Sequence, residues 1–281
     1  MLKNKICIGT SNFGKKYGYN KDKFNSKELN KLFKYLKKNN IHYLDSAEGY
    51  DNHRLLKRNI NNFKLIYKIN FLQNNDHDKI LSNLKNILES LNLSKFECLL
   101  IHGVKNLSKQ KLKKIFIFLN KIKRKNITKF FGASIYDEKD LRKIYKLKYK
   151  LDIIQLPINI FDRSFINNKT ILSLKKRGVK FHARSIFLQG TLLIKNKKLP
   201  NYFDRWKNLF NKWDDWHIEN NAKKIETCIN FMSQLKFIDK IIIGINDLKQ
   251  LKEIIKTKKS KFPTNIYSKD QKLLKPYLWK L

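Results

Sequence analysis

Four ionisable residues in the first 102 positions could do chemistry together: Asp45, Tyr50, Lys68 and His102. Asp45, Lys68 and His102 each close a short apolar run, and Tyr50 follows the first of these runs. Charges at the ends of neighbouring strands can pair, so Asp45 and Lys68 are expected to form a desolvated ion pair. An ammonium beside a phenol favours the phenolate and lowers its pKa. Tyr50 then becomes a competent acid toward a carbonyl oxygen. His102 can donate a hydrogen bond that orients the same oxygen and stabilises developing alkoxide. Taken singly, each residue has a plainer reading. A strand-end Lys or Asp is usually a surface charge, a lone His is usually satisfied within the fold, and Tyr50 is one of 12 tyrosines. Their shared placement at the same end of successive strands favours the catalytic reading. Later runs also end in polar residues: Ser134, Gln155 with Asn159 just beyond, and Arg184-Ser185.

Such a set needs a regular frame. Apolar runs at 6–10, 43–46, 65–69, 98–102, 130–135, 153–156, 180–184 and 240–245 alternate with longer amphipathic segments. Leu29, Leu32, Phe33 and Leu36 recur at helical spacing, as do Ile80, Leu84, Ile87, Leu88 and Leu91. Ile115, Phe118, Leu119 and Ile122 form a third stripe, and Leu248, Leu251, Ile254 and Ile255 a fourth. Asp76 and Ser94 sit where caps or turns are expected. Gly178 follows a Lys/Arg-rich helix end and suits a C-terminal cap. Continuously apolar strands joined by crossover helices imply a parallel sheet covered by helices. Eight such units in 281 residues predict an α/β fold, a (β/α)8 TIM barrel forming a single domain over 1–281. A doubly wound open sheet is the alternative, but GTSNFG at 9–14 is not the GxGxxG phosphate turn. In a barrel the C-terminal strand ends build the active site, which is where the polar residues fall.

The charge invites a different function. Lys+Arg number 62 against 23 Asp+Glu, a net charge of +39. A strongly basic chain is the usual footprint of a nucleic-acid binder. Here the excess is 54 Lys to 8 Arg, scattered along nearly every helix, beside 32 Asn and only 4 Ala and 2 Val. That is the signature of A/T-rich codons, whereas nucleic-acid sites cluster Arg with aromatics. No specific nucleic-acid partner is expected. No apolar stretch approaches membrane-spanning length, and the N-terminus lacks the pattern of a secretory signal. Three scattered cysteines, Cys7, Cys98 and Cys228, suggest a reduced, cytoplasmic chain without a disulfide framework. No metal is expected.

Residues 199–217, LPNYFDRWKNLFNKWDDWH, place Trp206, Phe210 and Trp213 at helical spacing with Phe203 one turn earlier. The favoured reading is a helix packing its aromatic face on the barrel. A wall or lid of the substrate pocket is the functional alternative. A membrane-surface helix is opposed by Asp204, Asp214 and Asp215.

Read together, these segments resemble the aldo-keto reductase family over essentially the full length. IGTSNFGKKYG resembles the family's first strand and turn, LDSAEGY its D-[ST]-A-x-x-Y segment, and YKI and LLIHG the segments giving Lys68 and His102. FFGASIY, IIQLPINIFDR, HARSIFLQGTLL and IIIGINDLKQL follow in the right order. The last four are most similar to a bacterial subset found with surface-polysaccharide and sugar genes.

The resemblance implies an NAD(P)-dependent oxidoreductase that interconverts a small-molecule carbonyl or sugar and its alcohol, with NADP(H) or NAD(H) as cofactor. Tyr50 would be the proton donor, tuned by Lys68 and Asp45, with His102 positioning the carbonyl. It also implies that Ser134 and Gln155 bind the carboxamide and that Arg184 replaces a Tyr against the ring. Ser185, Gly190, Gly244, Asn246 and Gln250 would hold the pyrophosphate and adenosine end, and the backbone of Thr10 and Ser11 would lie near the nicotinamide.

The chain also departs from the family. YDNHRLL, with Asp51 and His53, replaces the usual YGxSE. Gly244-Ile245 replaces a Lys-Ser pair and Gln250 an Arg, which weakens the motif for NADP; Lys249 and Lys252 could supply charge instead. The chain is expected to enter the first strand directly, without a bottom-closing hairpin, and to end in a short tail from 262 to 281. The altered loop leaves open a cofactor-binding regulatory module with little turnover, and the sequence leaves the oligomeric state open.

Overall fold

The computed structural model describes residues 2–13, 24, 26–50, 52–72 and 76–281. All eight apolar runs are strands: β1 (Ile6–Gly9), β2 (Tyr43–Ala47), β3 (Lys64–Ile69), β4 (Phe96–His102), β5 (Thr128–Ser134), β6 (Ile153–Pro157), β7 (Lys180–Arg184) and β8 (Ile238–Gly244). They pair in sequence order, all parallel, and β8 returns to β1 with Gly9 opposite Gly244, closing the barrel. The helices are α1 (Leu2–Lys5), α2 (Ser26–Lys38), α3 (His53–Lys57), α4 (His77–Leu91), α5 (Lys109–Arg124), α6 (Glu138–Lys146), α7 (Lys169–Lys176), α8 (Lys207–Glu219), α9 (Lys224–Gln234), α10 (Leu248–Lys256) and α11 (Gln271–Leu274). The apolar stripes expected of α2, α4, α5 and α10 face inward, with Leu32, Leu91, Leu119 and Leu251 fully buried.

Local chemistry sets the ends. The Asp76 carboxylate caps α4 by accepting from the backbone N–H groups of Asp78 and Lys79, both at 3.0 Å. Gly178 takes a positive φ of 83° just past α7, a conformation that costs glycine nothing. Residues 2–5 differ from the expectation of direct strand entry. LKNK has one apolar side chain, too few for a strand buried on both faces. It forms a helical turn that packs Leu2 against the core, and Lys240 Nζ donates to the Asn4 carbonyl at 2.6 Å.

Strand alternation makes the site. Successive side chains point to opposite faces, and a cluster of Cys7, Ile66, Cys98, Leu100, Ile153 and Ile242 fills the barrel interior, separate from the layer under the helices. Two residues further along the same strands come Gly9, Lys68, His102, Gln155 and Gly244. Asp45, Ser134 and Arg184 stand likewise two beyond Tyr43, Gly132 and His182. The polar strand ends are therefore the uppermost inward layer of a packed core.

That core has little slack at Gly132. A Cβ there would stand 1.8 Å from the Ile153 carbonyl oxygen and 3.1 Å from Leu100 Cδ2. Backbone cannot yield as a side chain can, so Gly132→Ala should destabilise the fold by about 3 kcal/mol or more. Urea denaturation measures this; a loss below about 1 kcal/mol would show that β5 and β6 are not held this close.

The aromatic segment packs as the favoured reading expects. Phe203, Trp206, Phe210 and Trp213 are buried, and none lines the central cavity described below. Instead the segment clasps the tail. Trp206 Nε1 donates to Asp270 Oδ2 at 3.0 Å, the Tyr202 hydroxyl donates to the Lys272 carbonyl at 3.0 Å, and Phe203 meets Trp279 edge-on at 4.9 Å. Arg163 holds the approach to the tail, donating to the Pro263 carbonyl at 2.8 Å. Among the described residues, no helix is long and apolar enough to cross a membrane.

Candidate active site

The C-terminal mouth of the barrel opens into a cavity of about 530 Å³. Asp45, Tyr50, Lys68 and His102 all line it. Asp45 and Lys68 are each only 3% exposed, and Lys68 Nζ donates to Asp45 Oδ1. The other carboxylate oxygen, Oδ2, accepts from Gln155 Nε2 at 2.8 Å, and Gln155 Oε1 accepts from the Ser134 hydroxyl at 3.2 Å. One polar chain thus runs from β5 through β6 and β2 to β3. The Tyr50 ring lies with its centroid 5.5 Å from the Lys68 ammonium. Burial alone would lower the Lys68 pKa, but the Asp45 charge, Tyr50 and the hydrogen bond to Asp45 outweigh it, and the net direction is upward. Lys68 is therefore a fixed cation.

His102 behaves in the opposite way. Burial, then the Lys68 and Arg184 charges, push its pKa from 6.5 down to about 4, with Asp45 opposing. The imidazole is neutral at pH 7, with one donor and one acceptor nitrogen. Because the folded value lies below the unfolded one, the unfolded chain binds a proton between about pH 6.5 and 4 that folded His102 refuses. This contribution to stability is complete above pH 6.5 and is lost as pH falls toward 4. His102→Gln should flatten the decline in unfolding free energy between pH 7 and 4.5 by about 1–2 kcal/mol once solvent screening is allowed for. Equal slopes in parent and variant would contradict this assignment.

Most of the other expected residues also reach the cavity. Ser11, Ser134, Gln155, Arg184, Ser185, Gly190, Gly244, Asn246 and Gln250 line it. Thr10 does not. It is fully buried, its N–H and hydroxyl both donate to the Asp45 carbonyl at 2.9 and 3.1 Å, and its hydroxyl accepts from Asn52 Nδ2 at 2.9 Å. Asn246 and Gln250 are partly committed to their own turn, where Gln250 Oε1 accepts from the Asn246 N–H at 2.9 Å. Lys252 lies 5.7 Å from the Tyr35 ring centroid, while Lys249 lines an adjoining cavity of about 690 Å³ with Lys195 and Lys223. The two cavities share Leu193, Asn246 and Gln250. The turn after β7 is left-handed at Ser185, Leu188, Gln189 and Gly190, with φ of 59°, 46°, 55° and 93°.

Several lining or supporting residues have no sequence motif. Asn52 fixes the loop after Tyr50 by donating to the Thr10 carbonyl at 2.8 Å. Asn12 bridges β1 to the turn after β8, donating to Asn246 Oδ1 at 2.7 Å. Tyr136, Lys275, Tyr277 and Trp279 complete the wall. Two buried asparagines in a chain with 32 are not distinguishable by type, and the tail residues reach the mouth only through tertiary packing. His53 packs beside Tyr67 with ring centroids 5.9 Å apart, and Asp51, expected to reshape this loop, lies outside the described residues.

Comparison with known proteins agrees with this architecture. A sequence profile of the Aldo/keto reductase family matches residues 5–274. Among solved structures, the fold is similar to the aldo-keto reductase AKR11C1 from Bacillus halodurans in its holo form, at 16% identity and a TM-score of 0.71, covering 98% of this chain and 94% of that one. It is also similar to the thermostable aldo-keto reductase Tm1743 in complex with the inhibitor epalrestat, at 17% identity and a TM-score of 0.65, covering 92% and 91%. At these identities the likeness is one of fold. Comparison with curated proteins gives no match. The profile spans nearly all of a closed eight-stranded barrel with ionisable residues gathered at its C-terminal mouth, and the chain belongs to the aldo/keto reductase family.

Proposed function

We propose that the chain interconverts a carbonyl and an alcohol with NADP(H) or NAD(H), using Tyr50 as the proton donor. The reading is carried by the buried Asp45–Lys68 pair, the Tyr50 ring 5.5 Å from its ammonium, and neutral His102 on the same rim. The cavity suits a nicotinamide dinucleotide. Its volume, about 530 Å³, lies in the range of ligand sites. A Cβ at Gly190 or Gly244 would meet nothing within 4 Å, so both glycines leave room along the lining. The left-handed turn after β7 is the kind of backbone strain found at ligand clamps, and such turns can present N–H groups to anions.

When bound, the cofactor supplies a hydride for the carbonyl carbon. Tyr50 gives its phenolic proton to the carbonyl oxygen. Lys68 stabilises the resulting phenolate, Asp45 keeps Lys68 charged and in place, and His102 donates a hydrogen bond that orients the oxygen. Ser134 and Gln155 would hold the carboxamide, and Arg184 would border the ring. Ser185 and Gly190 would serve the pyrophosphate, and Gly244, Asn246 and Gln250 the adenosine end. Ser11 would border the nicotinamide, while Thr10 acts from beneath through its hydrogen bonds to Asp45 and Asn52. Lys249 and Lys195 in the adjoining cavity are the charges available to a 2′-phosphate, in place of the absent Lys-Ser pair. The segments HARSIFLQGTLL and IIIGINDLKQL favour the subset associated with sugar and polysaccharide genes, so carbonyl sugars head the substrate panel.

The test is separate titration with NADH and NADPH, followed by a carbonyl and sugar panel with the cofactor that binds more tightly. Saturable binding with turnover is expected. Binding without turnover across the panel would replace this reading with a cofactor-binding regulatory module.

A further inference from the structure

We propose that Arg184 makes the site discriminate against the oxidised cofactor, so that the protein binds the reduced form of its nicotinamide cofactor more tightly. The inference rests on the oxidoreductase reading above and concerns which redox form of the cofactor the site holds.

It begins from the charges at the mouth. Among the described residues, the charged side chains lining the cavity are Asp45, Lys68, Arg184 and Lys275. Asp45 and Lys68 neutralise one another, and Lys275 pairs with Asp137 at 3.2 Å. Arg184 has no acidic partner among the described residues. Its guanidinium is tied to neutral oxygens, with Nη2 donating to the Ile135 carbonyl at 2.9 Å and Nη1 to the Ser185 hydroxyl at 3.3 Å. The plane is backed by the Tyr136 ring, 4.6 Å from Cζ to centroid. One positive charge is thus left uncompensated and held in place. Its field reaches the reacting residues, since it acts against protonation of both His102 and Lys68.

The reaction changes one charge that this residue can sense. Carbonyl, reduced cofactor and one proton give alcohol and oxidised cofactor: a hydride, one hydrogen nucleus with two electrons, leaves the ring for the carbonyl carbon, and the proton goes to the oxygen. The nicotinamide ring passes from neutral to +1, while pyrophosphate and adenosine are unchanged. To reach a carbonyl held by Tyr50 and His102, the ring must lie in the mouth that Arg184 lines. Attraction between Arg184 and the phosphates is common to both forms and cancels in their affinity ratio. What remains is repulsion between the guanidinium and the cationic ring. At a few ångströms in a partly desolvated site, such repulsion is strong enough for a tenfold ratio or more. An aromatic residue at 184 would act in the opposite sense, because its ring face attracts cations.

The experiment measures dissociation constants of the oxidised and reduced forms of the same cofactor by calorimetry, at fixed ionic strength, for the parent, Arg184→Gln and Arg184→Lys. The parent should bind the reduced form at least about tenfold more tightly, equal to about 1.4 kcal/mol. The ratio should fall toward unity in Arg184→Gln and persist in Arg184→Lys. General damage to the site would weaken both forms and leave the ratio alone. A parent ratio near unity overturns the proposal, as does an unchanged ratio in Arg184→Gln, and in both cases the oxidoreductase reading survives. Should Arg184→Gln not fold, Arg184→Met, which also removes the charge, takes its place and is judged by the same ratio. Absence of binding by either form to the parent overturns the oxidoreductase reading and this inference with it.

Discussion

Tyr50→Phe should lower kcat by about 10²–10⁴ while leaving the dissociation constant of the reduced cofactor within about twofold. The substitution removes one oxygen and keeps the ring. The Lys68 ammonium remains 5.5 Å from that ring's centroid and remains paired with Asp45, so the cavity keeps its shape and charge. What is lost is the proton delivered to the carbonyl oxygen. Water can enter in its place, but it lacks the stabilisation that a fixed cation gives a phenolate. Stopped-flow loss of cofactor fluorescence in a single turnover isolates this step from product release. A variant that turns over within about fivefold of the parent would remove Tyr50 as the donor.

Lys68→Met should affect both activity and stability. Asp45 is 3% exposed and would lose its only cationic partner among the described residues, keeping the hydrogen bond from Gln155 Nε2 at 2.8 Å. Breaking a buried pair from one side typically costs 3–5 kcal/mol, because the remaining charge is left uncompensated in a low-dielectric site, so a loss of about that size is expected. The pair is close to neutral as a whole, however. Lys68→Met combined with Asp45→Asn should therefore recover much of the stability, since the charge is removed as well as its partner. Activity should not return, because the phenolate still lacks its cation, and kcat should stay down by about 10² or more. Chemical denaturation and single-turnover rates on the two variants separate the roles. Recovery of activity in the double variant would mean that Lys68 only supports the fold.

The sequence revealed the frame well because a parallel barrel leaves a strong trace. Its strands are covered on both faces, so they read as unbroken apolar runs, and all eight were legible, with ends displaced by two residues at most. Period-two alternation accounts for the inward placement of Lys68 and His102, which each follow an interior apolar residue by two positions. Residues that act through tertiary contacts left no such trace. Thr10 sits one position beyond β1, where the resemblance implies a backbone near the nicotinamide; the residue is fully buried, and its N–H donates to the Asp45 carbonyl at 2.9 Å. Tyr277 and Trp279 come from a tail whose course depends on the grip of Arg163 and the aromatic segment. Lys252 looked equivalent to Lys249 in sequence, but it lies over Tyr35 on the outer face. Among the described residues, Arg184 is the one charged side chain lining the mouth without an oppositely charged partner.

Hydride should pass directly from the nicotinamide to a carbonyl seated at Tyr50 and His102. The most direct test uses reduced cofactor carrying deuterium at both C4 positions and a carbonyl that the protein turns over. Deuterium should appear on the carbinol carbon of the product alcohol, one label per turnover, with none exchanged into water. Product alcohol carrying solvent hydrogen at that carbon, or cofactor oxidised without labelled alcohol, would contradict it.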